Sequence, residues 1–348
     1  MYRASYRRFG LALVAAVAAG CVGGCRTSSP TGLERFEFKQ PHMGTLFTIT
    51  LYAANAENAR TASDAAFARV AALEQVMTDY DPESELMQLC RRPVGVPTQV
   101  SADLFEVLQK AQRVAAVTDG AFDVTIGPVI RLWRRARRTG ELPTAEAIAR
   151  AKEAVGWRNL KLDARQRTVT LAAPNMQLDL GGIGKGFAAD NALATLREHS
   201  VSRALVAASG DIAVSEPPPG QRGWRVGIGM PERGDPRLAR TLLLRNAAVS
   251  TAGDSEQFVE IGGQHYSHIV DPNTGYGLTN RLQVSVIARH ATDTDVFDTT
   301  VRVLGGQRGL ALVEAQLGMA AFVLKPEGQE ISATESSRFR RFLEERAK

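Results

Sequence analysis

The sequence predicts an α+β fold, in which antiparallel strands gather in clusters and helices pack against them. Three observations carry this. Beyond Val169 the chain passes through short β-rich runs, VTLAA, MQLDL, RALVAAS, WRVGIGM, LQVSVIA and MAAFVLK, interrupted by two well-marked helices at 186–199 and 292–304. A doubly wound parallel sheet would instead place a helix between successive strands. Ahead of that region, Thr45 to Tyr52 alternates like a strand, and Ala66, Val70, Leu73 and Met77 then recur at helical spacing. Finally, 348 residues at 44% hydrophobic content are enough for a sizeable core.

The N-terminus reads as an export signal: Arg3, Arg7 and Arg8, then an uncharged stretch from Phe9 to Gly24, then small residues. It is too short and too glycine-rich to span a membrane comfortably. Cys25 after Val22-Gly23-Gly24, or Cys21 after Ala18-Ala19-Gly20, resembles the cleavage and acylation site of bacterial lipoproteins. Cys25 is favoured because polar Arg26-Thr27-Ser28-Ser29 follows it; two ordinary cysteines of a cleaved signal are the alternative. Cys90 is left without an evident disulfide partner. The expected organisation is a signal over 1–24, a tether over 25–39 and one domain over 40–340, lipid-anchored on the periplasmic side of a bacterial membrane. Removing the three signal arginines reduces the formal charge from +5 to about +2. That gives no reason to expect nucleic acid as a partner.

Along the domain, Ser101 is a predicted N-cap for a helix carrying Leu104, Leu108, Ala111 and Ala115 inward, and Gly120 its stop. Thr144 opens another helix. Between them, RLWRRARRTGELP clusters Arg131, Arg134, Arg135, Arg137 and Arg138. This reads as a solvated basic face, with a phosphate or membrane contact as the alternative. Pro217-Pro218-Pro219-Gly220 is a stiff loop, too short to join two domains.

Three segments could carry chemistry. On the helix from Thr292, Phe297, Val301 and Leu304 form an apolar stripe, while Asp295 and Thr299 project from the opposite side with Asp298 between. Those oxygen ligands suit magnesium or calcium, although the same residues also serve as a solvated acidic first turn. In LDLGGIGKGFAADNA, Gly181, Gly182, Gly184 and Gly186 let backbone approach a ligand, and Lys185 adds a charge beside a helix N-terminus. An anion such as a pyrophosphate is well served there, although the segment fits neither a P-loop nor a GxGxxG fingerprint. Asp179 and Asp190 flank this loop and could cap it or pair with Lys185. HYSHIVDPNTGYGL brings His265 and His268 three apart, ahead of turn chemistry at Asp271 to Gly275. The five histidines and three cysteines show no zinc spacing, and no GxSxG elbow occurs.

In order, these segments resemble the ApbE family of FAD:protein FMN transferases from about Pro41 to about Lys325. The likeness rests on HMGT at His42, DYDPESEL at Asp79, TDGAFDVTIGP at Thr118, LDLGGIGKGFAAD at Leu178, VSTAGD at Val249, SHIVDPNTG at Ser267 and TDVFDTT at Thr294. The resemblance implies a T-fold-like core, FAD as substrate, and Mg2+ held by Asp295, Asp298, Thr299 and the backbone carbonyl of Gly182. It implies flavin-dinucleotide contacts at Met43, Tyr80, Ala121, Phe122, Asp123, Asp179, Lys185 and Ile269, with His268 as catalytic base or phosphate-positioning group. The implied reaction moves FMN onto a Ser or Thr hydroxyl of an exported acceptor protein bearing a flavinylation motif, such as a subunit of a membrane redox complex, and releases AMP. FAD hydrolysis and flavin carriage without catalysis are the alternatives. Departures from the family pattern are Ser209 and Gly182, where a glycine and an alanine are common, and Phe187 in place of a common tyrosine; Ser209 could narrow the adenine side of the pocket.

Overall fold

The computed structural model describes residues 32–230, 235, 237–253, 258–328 and 330–344. The signal, Cys21 and Cys25 lie outside them, as does Asp254 of the VSTAGD motif. Strand β1 (Glu34–His42) and β2 (Thr45–Ala53) form a hairpin in register from Glu34 opposite Ala53 to His42 opposite Thr45. The expected tether is therefore shorter than predicted, because residues 34–39 are strand. Phe36 and Phe38 alternate onto the main core, but two apolar positions, followed by Gln40 and Pro41, are too few to mark a strand in the sequence.

Helix α1 (Ala56–Met77) buries Ala66, Val70, Leu73 and Met77, the helical stripe read in the sequence, and continues it back to Ala59 and Ala62. Then come α2 (Glu85–Cys90), β3 (Thr98–Gln99) and α3 (Ala102–Val117), whose Ser101 hydroxyl accepts from Leu104 N–H at 3.2 Å. The arginine-rich run forms α4 (Gly127–Thr139), closed by Gly140 in the left-handed region, and α5 (Ala145–Lys152) starts at its Thr144 cap. With β4 (Leu160–Asp163) and β5 (Thr168–Leu171), β3 makes a small antiparallel sheet.

The second half supplies most of the main sheet. After α6 (Gly184–Glu198) come β6 (Ala204–Ala208) and β7 (Asp211–Val214), the ribbon β8 (Trp224–Gly229) and β9 (Ala239–Leu244), β10 (Ala247–Ala252), and the hairpin β11 (Phe258–Ile261) and β12 (Gln264–Ser267). Next are β13 (Gln283–Ala288), α7 (Ala291–Leu304), α8 (Gly306–Ala315), β14 (Ala320–Glu327) and β15 (Glu330–Glu335). Eight strands pair antiparallel in the order β1-β2-β6-β7-β10-β13-β14-β15. The α+β expectation holds.

Alternation sorts the side chains of this sheet onto two faces. Val284, Val286, Ala321 and Val323 meet Phe297 and Val301 of α7, whereas Ile287, Ala320, Phe322 and Leu324 meet Trp224, Leu242 and Phe339. One face is therefore roofed by α1, α6, α7 and α8, and the other by the β8–β9 ribbon and the C-terminal segment. Apolar burial on both faces at roughly 25 cal/mol per Å² is the main term holding these layers together.

Candidate active site

The site forms where α6 and α7 cross. Gly186 allows that crossing: a Cβ there would lie 2.2 Å from the Ala291 carbonyl oxygen and 2.8 Å from Asp295 Cβ. In return Gly186 N–H donates to Asp295 Oδ2 at 2.9 Å. Asp190, one turn on, caps α7 by accepting from Ala291 N–H (2.8 Å) and Thr292 N–H (2.9 Å). It holds the two helices together and does not pair with Lys185.

Asp295 and Asp298 are each 3% exposed, which removes the solvated-turn reading of this helix. Lys185 Nζ sits 3.1 Å from Asp211 Oδ2 and 3.5 Å from Asp295 Oδ1. The Ser250 hydroxyl lies against both Asp211 Oδ1 and Asp298 Oδ2. Three buried carboxylates thus face one ammonium. Burial, with the neighbouring Asp211 charge, pushes the Asp295 carboxyl up to about 7. Burial, with Asp295 and Asp211, raises Asp298 well above the ordinary range. Burial opposes the charge on Lys185, but Asp211 and Asp295 outweigh it and hold its pKa above the usual lysine value.

Thr299 Oγ1 donates to Asp298 Oδ1 at 3.2 Å, and a Cβ at Gly182 would stand 3.5 Å from that same hydroxyl. The glycine loop and the end of the acidic cluster are therefore adjacent. Among the described residues no group of three or more His, Cys, Asp or Glu side chains is arranged to hold a metal. The oxygen set of Asp295, Asp298, Thr299 and Gly182 contains only two carboxylates, and it offers hard donors beside unbalanced negative charge.

From this pole a cleft of about 920 Å³ runs outward. That volume lies in the range of roughly 300–1,000 Å³ typical of small-molecule sites. LDL, expected as strand, joins no sheet; Gln177, just before it, makes one parallel bridge to Ile126. Its own backbone bonds run from Leu178 N–H to Cys90 Sγ, from Asp179 N–H to Val124 O, and to Leu180 O from Ile183 and Gly184 N–H. Asp179 accepts from Gly181 N–H at 2.8 Å, closing the loop, and is bridged by Arg134 Nη2 at 2.7 Å. Arg134 also pairs with Asp79 and lies over the Tyr80 ring, 4.5 Å from its centroid. Burial, with the charge on Asp79, raises the Asp179 pKa despite that partner.

The Asp123 carboxylate accepts from Thr125 N–H (2.8 Å) and Trp157 N–H (2.9 Å), so it shapes the Ala121-Phe122-Asp123 turn. Burial raises its pKa despite these bonds. Met43 adopts a φ of 50°, held by Glu74, whose Oε1 accepts Met43 N–H at 2.7 Å. The other Glu74 oxygen meets His42 Nδ1 at 3.2 Å.

The residues that the family resemblance names line this one cleft: Met43, Tyr80, Ala121, Phe122, Asp123, Asp179, Gly182, Lys185, His268, Ile269, Asp295, Asp298 and Thr299. His265 is buried in β12 and stacks on Phe258 at 4.6 Å, away from the lining. Ser209 also lines the cleft, at a φ of 58° where glycine would be unstrained. Sequence reasoning gave no site role to Glu74, Asp211 or Ser250, and it read Arg134 as part of a solvated basic face, whereas the structure pairs it with Asp79 and Asp179 on the cleft wall. The periodicity of α4 held the only available signal: Ile130, Arg134 and Arg137 fall four and three apart on one face, and all line the cleft.

With this geometry in hand, comparison with known proteins is informative. The family model described as ApbE family matches residues 43–323. An FAD:protein FMN transferase from Salmonella typhimurium is 28% identical over 306 residues, covering 86% of this chain and 87% of that protein. Among solved structures, the flavin transferase ApbE from Vibrio cholerae superposes with a TM-score of 0.80 at 26% identity, over 89% of this chain and 100% of that one. The Pseudomonas stutzeri flavinyl transferase ApbE, apo form, gives 0.79 at 27%, over 89% and 97%.

Proposed function

Because the chain belongs to the ApbE family, we propose that it is an FAD:protein FMN transferase whose magnesium-dependent reaction joins FMN to a Ser or Thr hydroxyl of an acceptor protein. The observation that carries the site assignment is the charge imbalance at the buried pole, where Asp211, Asp295 and Asp298 face Lys185 alone. A divalent cation held there would offset that imbalance and the negative charge of a bound pyrophosphate. Asp295, Asp298, Thr299 and the Gly182 carbonyl would hold magnesium, which when bound supplies charge neutralisation at the pyrophosphate.

The chain's own residues do the rest. Lys185 binds a pyrophosphate oxygen from a position fixed by Asp211 and Asp295. Tyr80, Phe122, Met43 and Ile269 enclose the flavin dinucleotide, and Asp123 and Asp179 hold the turns that present them. The acceptor hydroxyl oxygen forms a bond to the FMN phosphorus, the bond from that phosphorus to the bridging oxygen breaks, and AMP leaves with the bridging oxygen. His268, on the cleft wall, takes the hydroxyl proton or orients the phosphate. The N-terminal signal supports export and lipid anchoring at Cys25 or Cys21 on the periplasmic side, which suits an exported redox subunit as acceptor.

The test is incubation with FAD, Mg2+ and a carrier protein bearing a flavinylation motif. The reading expects a covalently fluorescent carrier band, stoichiometric AMP, and loss of both with EDTA or with Asp295→Ala. AMP release without carrier would make the chain a hydrolase, and unchanged turnover in Asp295→Ala would remove the metal assignment.

A further inference from the structure

The basic run on α4 is only partly used by the flavin site. Arg134 is neutralised by Asp79 and Asp179. Arg137, on the same face and about 4.5 Å further along the helix axis, lines the cleft but makes no hydrogen bond or ion pair among the described residues. It is partly buried, and burial, with the neighbouring Arg134 charge, lowers its pKa even though Tyr80 and Asp179 act in the opposite direction. Arg138, the next residue, and Arg135 lie on the outer side of the same helix, exposed and likewise without an ion-pair partner among the described residues.

Position argues for what these arginines meet. Helix α4 starts deep, where Gly127 packs against the Gln177 backbone, and runs outward past Tyr80, which is 76% exposed. Arg137 is therefore toward the outer end of the helix, one turn beyond Arg134 and beside Tyr80. A dinucleotide seated with its pyrophosphate at Lys185 has its charge matched at the inner pole. The rim charge is left for the second substrate, which must enter through this mouth to reach the phosphorus.

Resting on the transfer reading, we propose that Arg137, with Arg135 and Arg138, is the docking site for an acidic segment of the acceptor protein. Continuity of Arg137 with the cleft favours a polypeptide feeding the site over an anionic membrane surface. Rim charges of this kind act mainly on association and on its salt dependence.

The experiment uses two versions of one carrier protein that share a flavinylation motif and differ only in a flanking run of aspartates or lysines. The unmodified enzyme should label the acidic version with a KM about tenfold lower, an advantage erased by high salt. In the double variant Arg135→Glu/Arg138→Glu, both exposed and so no threat to folding, that preference should reverse while FAD affinity by flavin fluorescence stays unchanged. Arg137→Gln should raise KM for the acidic carrier with little change in kcat. Labelling of both carriers with equal KM overturns the proposal and leaves the transfer reading intact; no labelling of either overturns both. Loss of binding to phosphatidylglycerol vesicles in the double variant, with carrier KM unchanged, overturns the proposal in favour of a membrane contact.

Discussion

Asp295 and Glu74 show how single carboxylates act here in opposite ways. Asp295 carries a folded pKa of about 7, above the ordinary carboxylate value, because burial and the Asp211 charge disfavour its ionised form. In metal-free protein its contribution to stability is therefore present at acid pH, where it is protonated, and is lost as pH rises from the ordinary carboxylate value toward about 7. Magnesium binds the ionised form, so the rise in Tm on adding Mg2+ should grow as pH increases across that window, and a pH-independent rise would count against Asp295 as a ligand. Glu74 instead holds the backbone of Met43 at its positive φ and touches no part of the acidic pole. Glu74→Ala should raise KM for FAD by roughly tenfold with little change in kcat, read from steady-state AMP release. Asp295 and Asp298 were legible because they stand three apart on one helix, and Lys185 because it sits in a short glycine loop. The place of Arg134 on the cleft wall was not, because its partners Asp79 and Asp179 lie 55 and 45 residues away along the chain.

At the scale of elements, the distance between α6 and α7 decides whether the pole exists. Gly186→Ala would place a methyl against the Ala291 carbonyl and Asp295, costing about 1–3 kcal/mol in urea unfolding and displacing the carboxylate it hydrogen-bonds. Gly182→Ala is the control. Its methyl would meet only the Phe122 ring edge at 3.2 Å and the Thr299 side chain at 3.5 Å, so it should fold and retain transfer activity. Helix starts at Ser101 and Thr144 were readable because a cap is a contact between near neighbours, and both hydroxyls do accept the expected N–H at 3.2 Å. Strand β1 was not readable, since only Phe36 and Phe38 alternate as apolar positions and Pro41 follows them. Its identity comes from pairing with β2. The LDL segment was misread for the converse reason: it has strand-like composition but joins no sheet.

Across the whole molecule, the two faces of the main sheet divide the work. The helical face builds the cleft, whereas Phe339, fully buried, stacks on Phe322 from the opposite face with ring centroids 5.3 Å apart. Phe339→Ala should cost about 3–5 kcal/mol of stability, measured by denaturant unfolding, yet leave KM for FAD unchanged at temperatures where the protein stays folded. The cleft wall itself draws on the turn after β1, the end of α1 and the loop after it, the turn before α4 and α4 as far as Arg137, the glycine loop, the β6–β7 turn, the end of β10, the segment after β12, and α7. Occupancy and complete folding are therefore linked, by about 2.7 kcal/mol when free FAD stands about a hundredfold above its Kd. A copy that has lost any one of these segments should also have lost its yellow colour, which makes retained flavin an inspector of finished molecules, able to tell a whole chain from a nearly whole one.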